Sequence, residues 1–356
     1  MSLITFLTRV HFADGVLEDA LPEALLRVSS SRPLLLMDED AGLGAVLDRV
    51  HDALPATCTP TDFPKLNDQD AASRLQAAGE VLRLAGCDSV VCIGGKTVMD
   101  FGRLLAGKSE PSRRPAIITV PTTVSSVGLG PVHMPGLTQR LPQRKQPELP
   151  AAILCDPTMT LGTPKDVLAA HGFKALVNCV EAFLATAYNP PADGIALEGM
   201  RRSGLYLERA VFEDNDLNAH RELLAVALNA GLAAQKGFGG AAALARATQD
   251  AGLETGTYGR FYPAVVPPVL AFNAPAVGER YALISRALEF PDESNVADGL
   301  SQMGRRLGLP GRLASLHLNE DQLDSLARRA AADPANLTNP RHATHDDYRD
   351  LLRQAL

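Results

Sequence analysis

Short apolar runs alternate with amphipathic stretches through the first half of the chain, and the alternation stops near residue 164. RPLLLMDED (32–40) begins with a continuous apolar run, the pattern of a parallel strand covered on both faces. AGLGAVLDRVHDAL (41–54) and AASRLQAAGEVLRLAG (71–86) carry apolar residues at helical spacing, the second with Gly86 as its stop. VVCI (90–93) is another buried strand, a helix follows from about 97, and PAIITVPTT (115–123) and AAILCDP (151–157) are further strands. This order predicts a parallel sheet with helices on both faces. Between the last two strands, GLGPVHMPGLTQRLPQRKQPELP is rich in Pro, Gly, Gln and Arg and predicts an exposed loop or hairpin.

Beyond 164, Ala- and Leu-rich segments at helical spacing replace the strand-like runs. Residues 164–188, 194–212, 217–236, 276–289, 294–307, 319–332 and 344–355 read as helices. With 356 residues the chain exceeds the size at which one core usually keeps growing. The expectation is an α/β domain over 1–160 followed by an all-α domain over 161–356, with no internal repeat and no low-complexity tract.

Composition narrows the classes. An apolar content of 46% with 21% charged residues describes a globular chain. The net charge of −7, with no strongly basic half, argues against a nucleic-acid partner. Five scattered cysteines without C-x-x-C spacing suggest neither a disulfide framework nor a zinc site, and fit a reduced cytoplasm. The N-terminal MSLITFLTRVHF lacks the apolar core and cleavage site of a signal peptide, and no uninterrupted apolar span reaches membrane length, so a cytoplasmic protein without a membrane partner is expected.

The chemistry-bearing residues cluster at predicted strand ends. Gly94 and Gly95 end the VVCI strand and let the backbone turn sharply, while the helix that opens there, carrying Asp100 and Arg103, points N–H groups and a positive dipole end at any anion present. Neither G-x-G-x-x-G nor the P-loop pattern is matched, so an ordinary strand-to-helix turn is the alternative. Asp38, at the end of the first strand, is placed to accept ribose hydroxyls and repel a 2′-phosphate, or to cap a helix. Thr122 and Thr123 close the next strand at the same edge. In HGFKALVNCVEAF (171–183), His171, Lys174 and Asn178 share one helical face. An Asp and a His at the last two positions would suggest a metal; Lys and Asn do not. A partly solvated face is the alternative.

Taken together, these segments resemble the iron-containing alcohol dehydrogenase family, which includes glycerol dehydrogenase and maleylacetate reductase and is related to dehydroquinate synthase. In chain order, TRVHFADG (8–15) resembles the family's opening strand and LLLMDED its first nucleotide strand, with Asp38 at the ribose position. IGGKTVMD (93–100) resembles GGGSxxD, with Lys96 in place of the third glycine, Thr97 in place of serine and Asp100 as the acid. VPTT (120–123) matches IPTT, ILCDPTMTLGTP (153–164) resembles DPELTLTLP, and GFKALVNCVEAF fits GMDALAHAIEAY. VVPPVLAFN (265–273) and LTNPRHATHDDYRDLL (337–352) resemble LLPHVLRFN and the NPRPVTEEDI segment.

The resemblance implies a dehydroquinate synthase-like fold, a Rossmann-like domain followed by a helical one, and a homodimer acting on a small molecule. It also implies NAD in preference to NADP, with Gly94, Gly95, Lys96 and Thr97 near the pyrophosphate, Asp100 in the same loop and Thr122 and Thr123 beside it. SSVGL (125–129) departs from the family's GTGSE. The family's four metal-ligand places fall on Lys174, Asn178, Arg246 and Tyr258, none a useful ligand for a divalent ion, so no metal is expected.

Three readings follow. In the first, an NAD-linked oxidoreductase reduces a small, anionic aldehyde or ketone without metal: Lys174 stands in for the ion, Arg246 pairs with the anion and His171 relays a proton. Arg246 facing solvent, or pairing with Asp250, is the structural alternative. The second reading is a non-catalytic dinucleotide or metabolite binder, and the third a synthase of the dehydroquinate type.

Overall fold

The computed structural model describes the chain except residues 1–3, 5–7, 39–42, 65–70, 136, 138–147, 214, 254–257, 292–294 and 314–317 and the side chains of Leu43 and Tyr258. Two compact units emerge, Thr5–Gly162 and Thr163–Leu356 with Met1–Ile4.

In the first unit the chain runs β1 (Arg9–Phe12), α1 (Leu17–Arg27), β2 (Pro33–Met37), α2 (Leu43–Ala53), β3 (Thr61–Asp62), α3 (Ala71–Leu84), β4 (Ser89–Gly94), α4 (Lys96–Lys108), β5 (Ala116–Pro121) and β6 (Ala152–Cys155). Among the described residues these strands form one parallel sheet in the order β1-β6-β5-β4-β2-β3. Successive side chains of a strand face opposite ways, and the strands are apolar on both sides for that reason. Leu34, Leu36, Val90, Cys92 and Ile117 pack under α3 and α4, while Leu35, Val91, Ile93, Ile118 and Val120 pack under α1 and α2. Helix α4 approaches β4 at Gly102, where a Cβ would lie 2.2 Å from Cys92 Sγ. A glycine is required there by close approach.

The sheet order determines where a ligand fits. From β2 the chain steps outward to β3; from β4 it steps the other way through β5 to β6. The carboxyl ends of the adjacent strands β2 and β4 therefore flank a topological switch point, the position where open α/β sheets form a ligand crevice. The register pairs Met37 with Ile93 and Gly94 with Pro121, which brings Asp38, Gly94 and Thr122 to one edge.

The second unit is helical: α5 (Lys165–Leu184), α6 (Pro190–Phe212), α7 (Leu217–Ala233), α8 (Gly240–Asp250), α9 (Tyr262–Val277), α10 (Arg280–Ala287), α11 (Val296–Arg306), α12 (Glu320–Ala332), α13 (Pro334–Thr338) and α14 (His345–Ala355). Helix α5 packs against α6, α7, α9 and the 3₁₀ turn Tyr258–Phe261. By length and composition it could cross a membrane, but 83% of its apolar window is buried, and a helix enclosed by others needs no polar face.

Several helices differ from the pattern reading. The expected helix 276–289 is interrupted at Gly278 (φ +54°), which separates α9 from α10. Helix α9 carries Pro263, Pro267, Pro268 and Pro275, which the periodicity reads as breaks. Pro263 sits in the first turn, where its missing N–H has no partner to lose, and burial of Val265, Val266, Val269 and Leu270 offsets the interior prolines. Helix α8 was also unmarked. It begins at two glycines with no side-chain cap of its own.

Candidate active site

In the first unit the candidate residues meet at the ends of β2, β4 and β5. Gly94 has φ +143°, and a Cβ there would lie 2.4 Å from Asp38 Oδ2 and 2.9 Å from Val98 Cγ1. Only glycine lets the chain leave β4 on this path. The next residue, Gly95, caps α4 without a side chain of its own. Its N–H donates to Asp38 Oδ2 at 2.6 Å, so a carboxylate from the neighbouring strand sits at the positive end of α4. The Lys96 N–H donates to Ser125 Oγ at 3.3 Å, and Ser125 Oγ shares a hydrogen with Thr123 Oγ1 at 2.7 Å. Thr122 N–H donates to Gly94 O at 3.1 Å, which fixes the β5 end against the glycine turn. Thr97 lies half-buried in the first turn of α4.

Lys96 and Asp100, both assigned to the cofactor loop by the resemblance, pair with each other, the Lys96 ammonium meeting the Asp100 carboxylate one turn along α4. Asp100 is buried, and the same Oδ2 accepts the His133 N–H at 3.0 Å. Arg103 is buried too and donates to the carbonyls of Glu148 and Gly130, a structural role. Ser125 was not singled out from the sequence; the signal available was a short hydroxyl two residues beyond the Thr-Thr pair.

In the second unit, α5 presents His171, Lys174 and Asn178 along one face. Lys174 is 3% exposed. His171 and Asn178 are half-buried. Among the described residues, His171 Nδ1 is buried without a hydrogen-bond partner. Burial, with the Lys174 cation beside it, lowers the His171 pKa to about 4, so the imidazole is neutral at physiological pH. The 3₁₀ turn Tyr258–Phe261 packs on this helix one residue earlier: a Cβ on Gly259 would lie 2.2 Å from Ala170 O. The backbone of Tyr258 is thus brought to the same stretch of α5, while its side chain lies outside the described residues.

Arg246 lies elsewhere in charge terms. On α8 it pairs with Asp333 at 3.0 Å, the two side chains being 11% and 13% exposed, and its guanidinium lies 5.9 Å from the Phe238 ring centroid. Where the sequence reading pairs Arg246 with a substrate anion, or with Asp250, the structure pairs it with a carboxylate from the N-cap of α13.

Residues 8–157 match the model of the iron-containing alcohol dehydrogenases, and residues 168–356 match the C-terminal model of the same family. The chain belongs to the iron-containing alcohol dehydrogenase family. Along its whole length, and the whole length of the relative, it is 31% identical to 4-hydroxybutyrate dehydrogenase of Cupriavidus necator. It is 27% identical to maleylacetate reductase of Burkholderia cepacia over 98% of this chain and 95% of that one. The solved structure of sulfoacetaldehyde reductase from Bifidobacterium kashiwanohense in complex with NAD+ shares the fold, with a TM-score of 0.85 at 21% identity over 100% of this chain and 98% of that one. As a family member the chain is an alcohol dehydrogenase-like oxidoreductase, with the α/β and helical units of that fold.

The family's name implies iron, and the donor set on α5 does not fit it. An ammonium offers no lone pair and repels a dication, and an amide beside it is a weak ligand. Among the described residues no group of three or more His, Cys, Asp and Glu is placed to hold a metal. The glycine turn is compatible with a dinucleotide through the acid that ends β2 and the positive end of α4 beside it, although Asp38 and Val98 fill the place of a Gly94 Cβ and the Gly95 and Lys96 N–H groups are bonded to Asp38 and Ser125.

Proposed function

We propose that this chain interconverts a small carboxylate-bearing aldehyde or ketone and its alcohol with NAD(H), using Lys174 in place of a metal ion. The carrying observation is Lys174 itself, a buried cation on the helix face where the family resemblance sets the metal ligands. The dinucleotide, when bound, supplies or accepts a hydride at the carbonyl carbon. In the reducing direction, negative charge grows on the carbonyl oxygen, and an ammonium held in a low-dielectric setting stabilises it without reorganisation. Lys174 then gives that oxygen a proton. His171, kept neutral by burial, serves as a relay in this reading: one ring nitrogen gives its proton to Lys174 as the other takes one from solvent, so the ring ends neutral, and Asn178 adds a neutral hydrogen-bonding group.

Preference for NAD over NADP rests on Asp38, whose carboxylate at the switch point would repel a 2′-phosphate. The substrate class is supported by relatives aligned along nearly the whole chain, 4-hydroxybutyrate dehydrogenase and maleylacetate reductase, whose named compounds carry carboxylates. The test is loss of NADH absorbance with a panel of ω-aldehyde acids, keto acids and neutral aldehydes, with and without chelator. Chelator-insensitive turnover of the acids supports the reading; turnover only with added metal, or only of neutral aldehydes, overturns it.

A further inference from the structure

Lys96 stands where the family resemblance sets a third glycine, and its contacts reach two points of one loop. Its main-chain N–H donates to Ser125 Oγ, near the start of the segment that follows β5. Its ammonium pairs with Asp100, and the same Asp100 oxygen accepts the N–H of His133, eight residues further along that segment. The Asp100 side chain is 3% exposed and the Lys96 side chain 19%. A buried carboxylate therefore lies one helical turn from the positive end of α4, and the ammonium beside it offsets its charge.

We infer that Lys96 is a positioning residue for the dinucleotide, acting through Asp100: it neutralises this buried acid next to the pyrophosphate place and holds the 125–133 segment against the start of α4. The inference rests on the reading that a dinucleotide binds at the Gly94–Gly95 turn. Its contrast is a lysine that swings out and contacts phosphate directly. Direct contact makes the loss on removing Lys96 independent of Asp100; neutralisation makes it vanish when Asp100 is also made neutral.

The experiment measures NADH affinity by fluorescence titration for the parent, Lys96→Met, Lys96→Arg, Asp100→Asn and the double variant Lys96→Met/Asp100→Asn. Lys96→Met should weaken NADH by about tenfold, Lys96→Arg by less than about threefold, and the double variant should return to within about threefold of the parent. Displacement of NADH by ADP should show the same loss in Lys96→Met, whereas displacement by adenosine, which lacks phosphate, should not, a distinction that general loosening of the fold would not produce. Circular dichroism melts confirm that each variant is folded. A Lys96→Met variant that binds as the parent does, or a double variant no tighter than Lys96→Met, overturns the inference and leaves NADH binding itself intact. Failure of the parent to bind NADH at millimolar concentration overturns both this and the cofactor reading.

Discussion

Asp38, at the end of β2, accepts the backbone N–H of Gly95, at the end of β4, at 2.6 Å. The two residues are far apart in sequence and adjacent because β2 and β4 are parallel neighbours, at the place where the order of strand addition reverses. One bond thus caps α4 and fixes a carboxylate at the switch point. Asp38→Ala should cost about 1 kcal/mol of stability through the lost cap. It should also reduce the preference for NAD over NADP by about tenfold, measured as the ratio of kcat/KM values. Unchanged preference would show that Asp38 is a cap alone.

Gly94→Ala places a Cβ against Asp38 Oδ2 in a backbone region that L-residues rarely adopt. The expected result is loss of NADH binding by calorimetry with a destabilisation of about 1–3 kcal/mol. Retained affinity would remove the turn from the cofactor site.

Lys174 and Arg246 should separate cleanly. If Lys174 faces the developing oxyanion, Lys174→Ala lowers kcat by about 10²–10³. Arg246→Ala leaves Asp333 without its guanidinium in a poorly solvated place, so its effect should be on stability, about 1–3 kcal/mol, with kcat within about threefold. A large kcat loss in Arg246→Ala would return it to the substrate.

Much of this was legible in the chain and some was not, for physical reasons. The apolar runs of β2 and β4 are readable because both faces of each strand are covered. The place of Asp38 is readable as a strand end; its partner is not, because strand order sets it. Helix α8 starts at Gly240 and takes its cap from Glu181 of α5, whose carboxylate accepts the Ala241 and Ala242 N–H groups at 2.7 and 3.1 Å. No local pattern announces a cap supplied sixty residues away. The partner of Arg246, eighty-seven residues away, is hidden in the same manner.

That cap has a pH signature. Burial raises the Glu181 pKa to about 7 against bonds from Ala241, Ala242 and Gly239 that lower it. The folded state therefore holds this proton to higher pH than the unfolded state, whose carboxyl titrates near 4.5. Stability from this group is fully present below about pH 4.5 and is lost as pH rises to about 7, a change on the order of 3 kcal/mol. Glu181→Gln keeps an acceptor and cannot ionise. The difference in Tm, variant minus parent, should rise from pH 5 to pH 8; a flat difference would show that Glu181 is charged throughout.

The metal question turns on the charge at Lys174. A dication about 4 Å from an ammonium is opposed by roughly 8 kcal/mol at an effective dielectric near 20, twice the figure for two unit charges. Deprotonating Lys174 would relieve the repulsion, yet the face would then offer one amine, an amide and a neutral imidazole, without the carboxylate that hard divalent ions favour. Protein purified without chelator should contain iron and zinc well below one per chain by elemental analysis, and its rate with NADH and an aldehyde acid should be unchanged by chelator. Lys174→Asp supplies the missing carboxylate and removes the opposing charge, so it should bind zinc more tightly than the parent while losing the metal-free rate. A stoichiometric, slowly exchanging metal in the parent would mean that the ligands lie outside the α5 face, and would remove Lys174 from the role of electrophile.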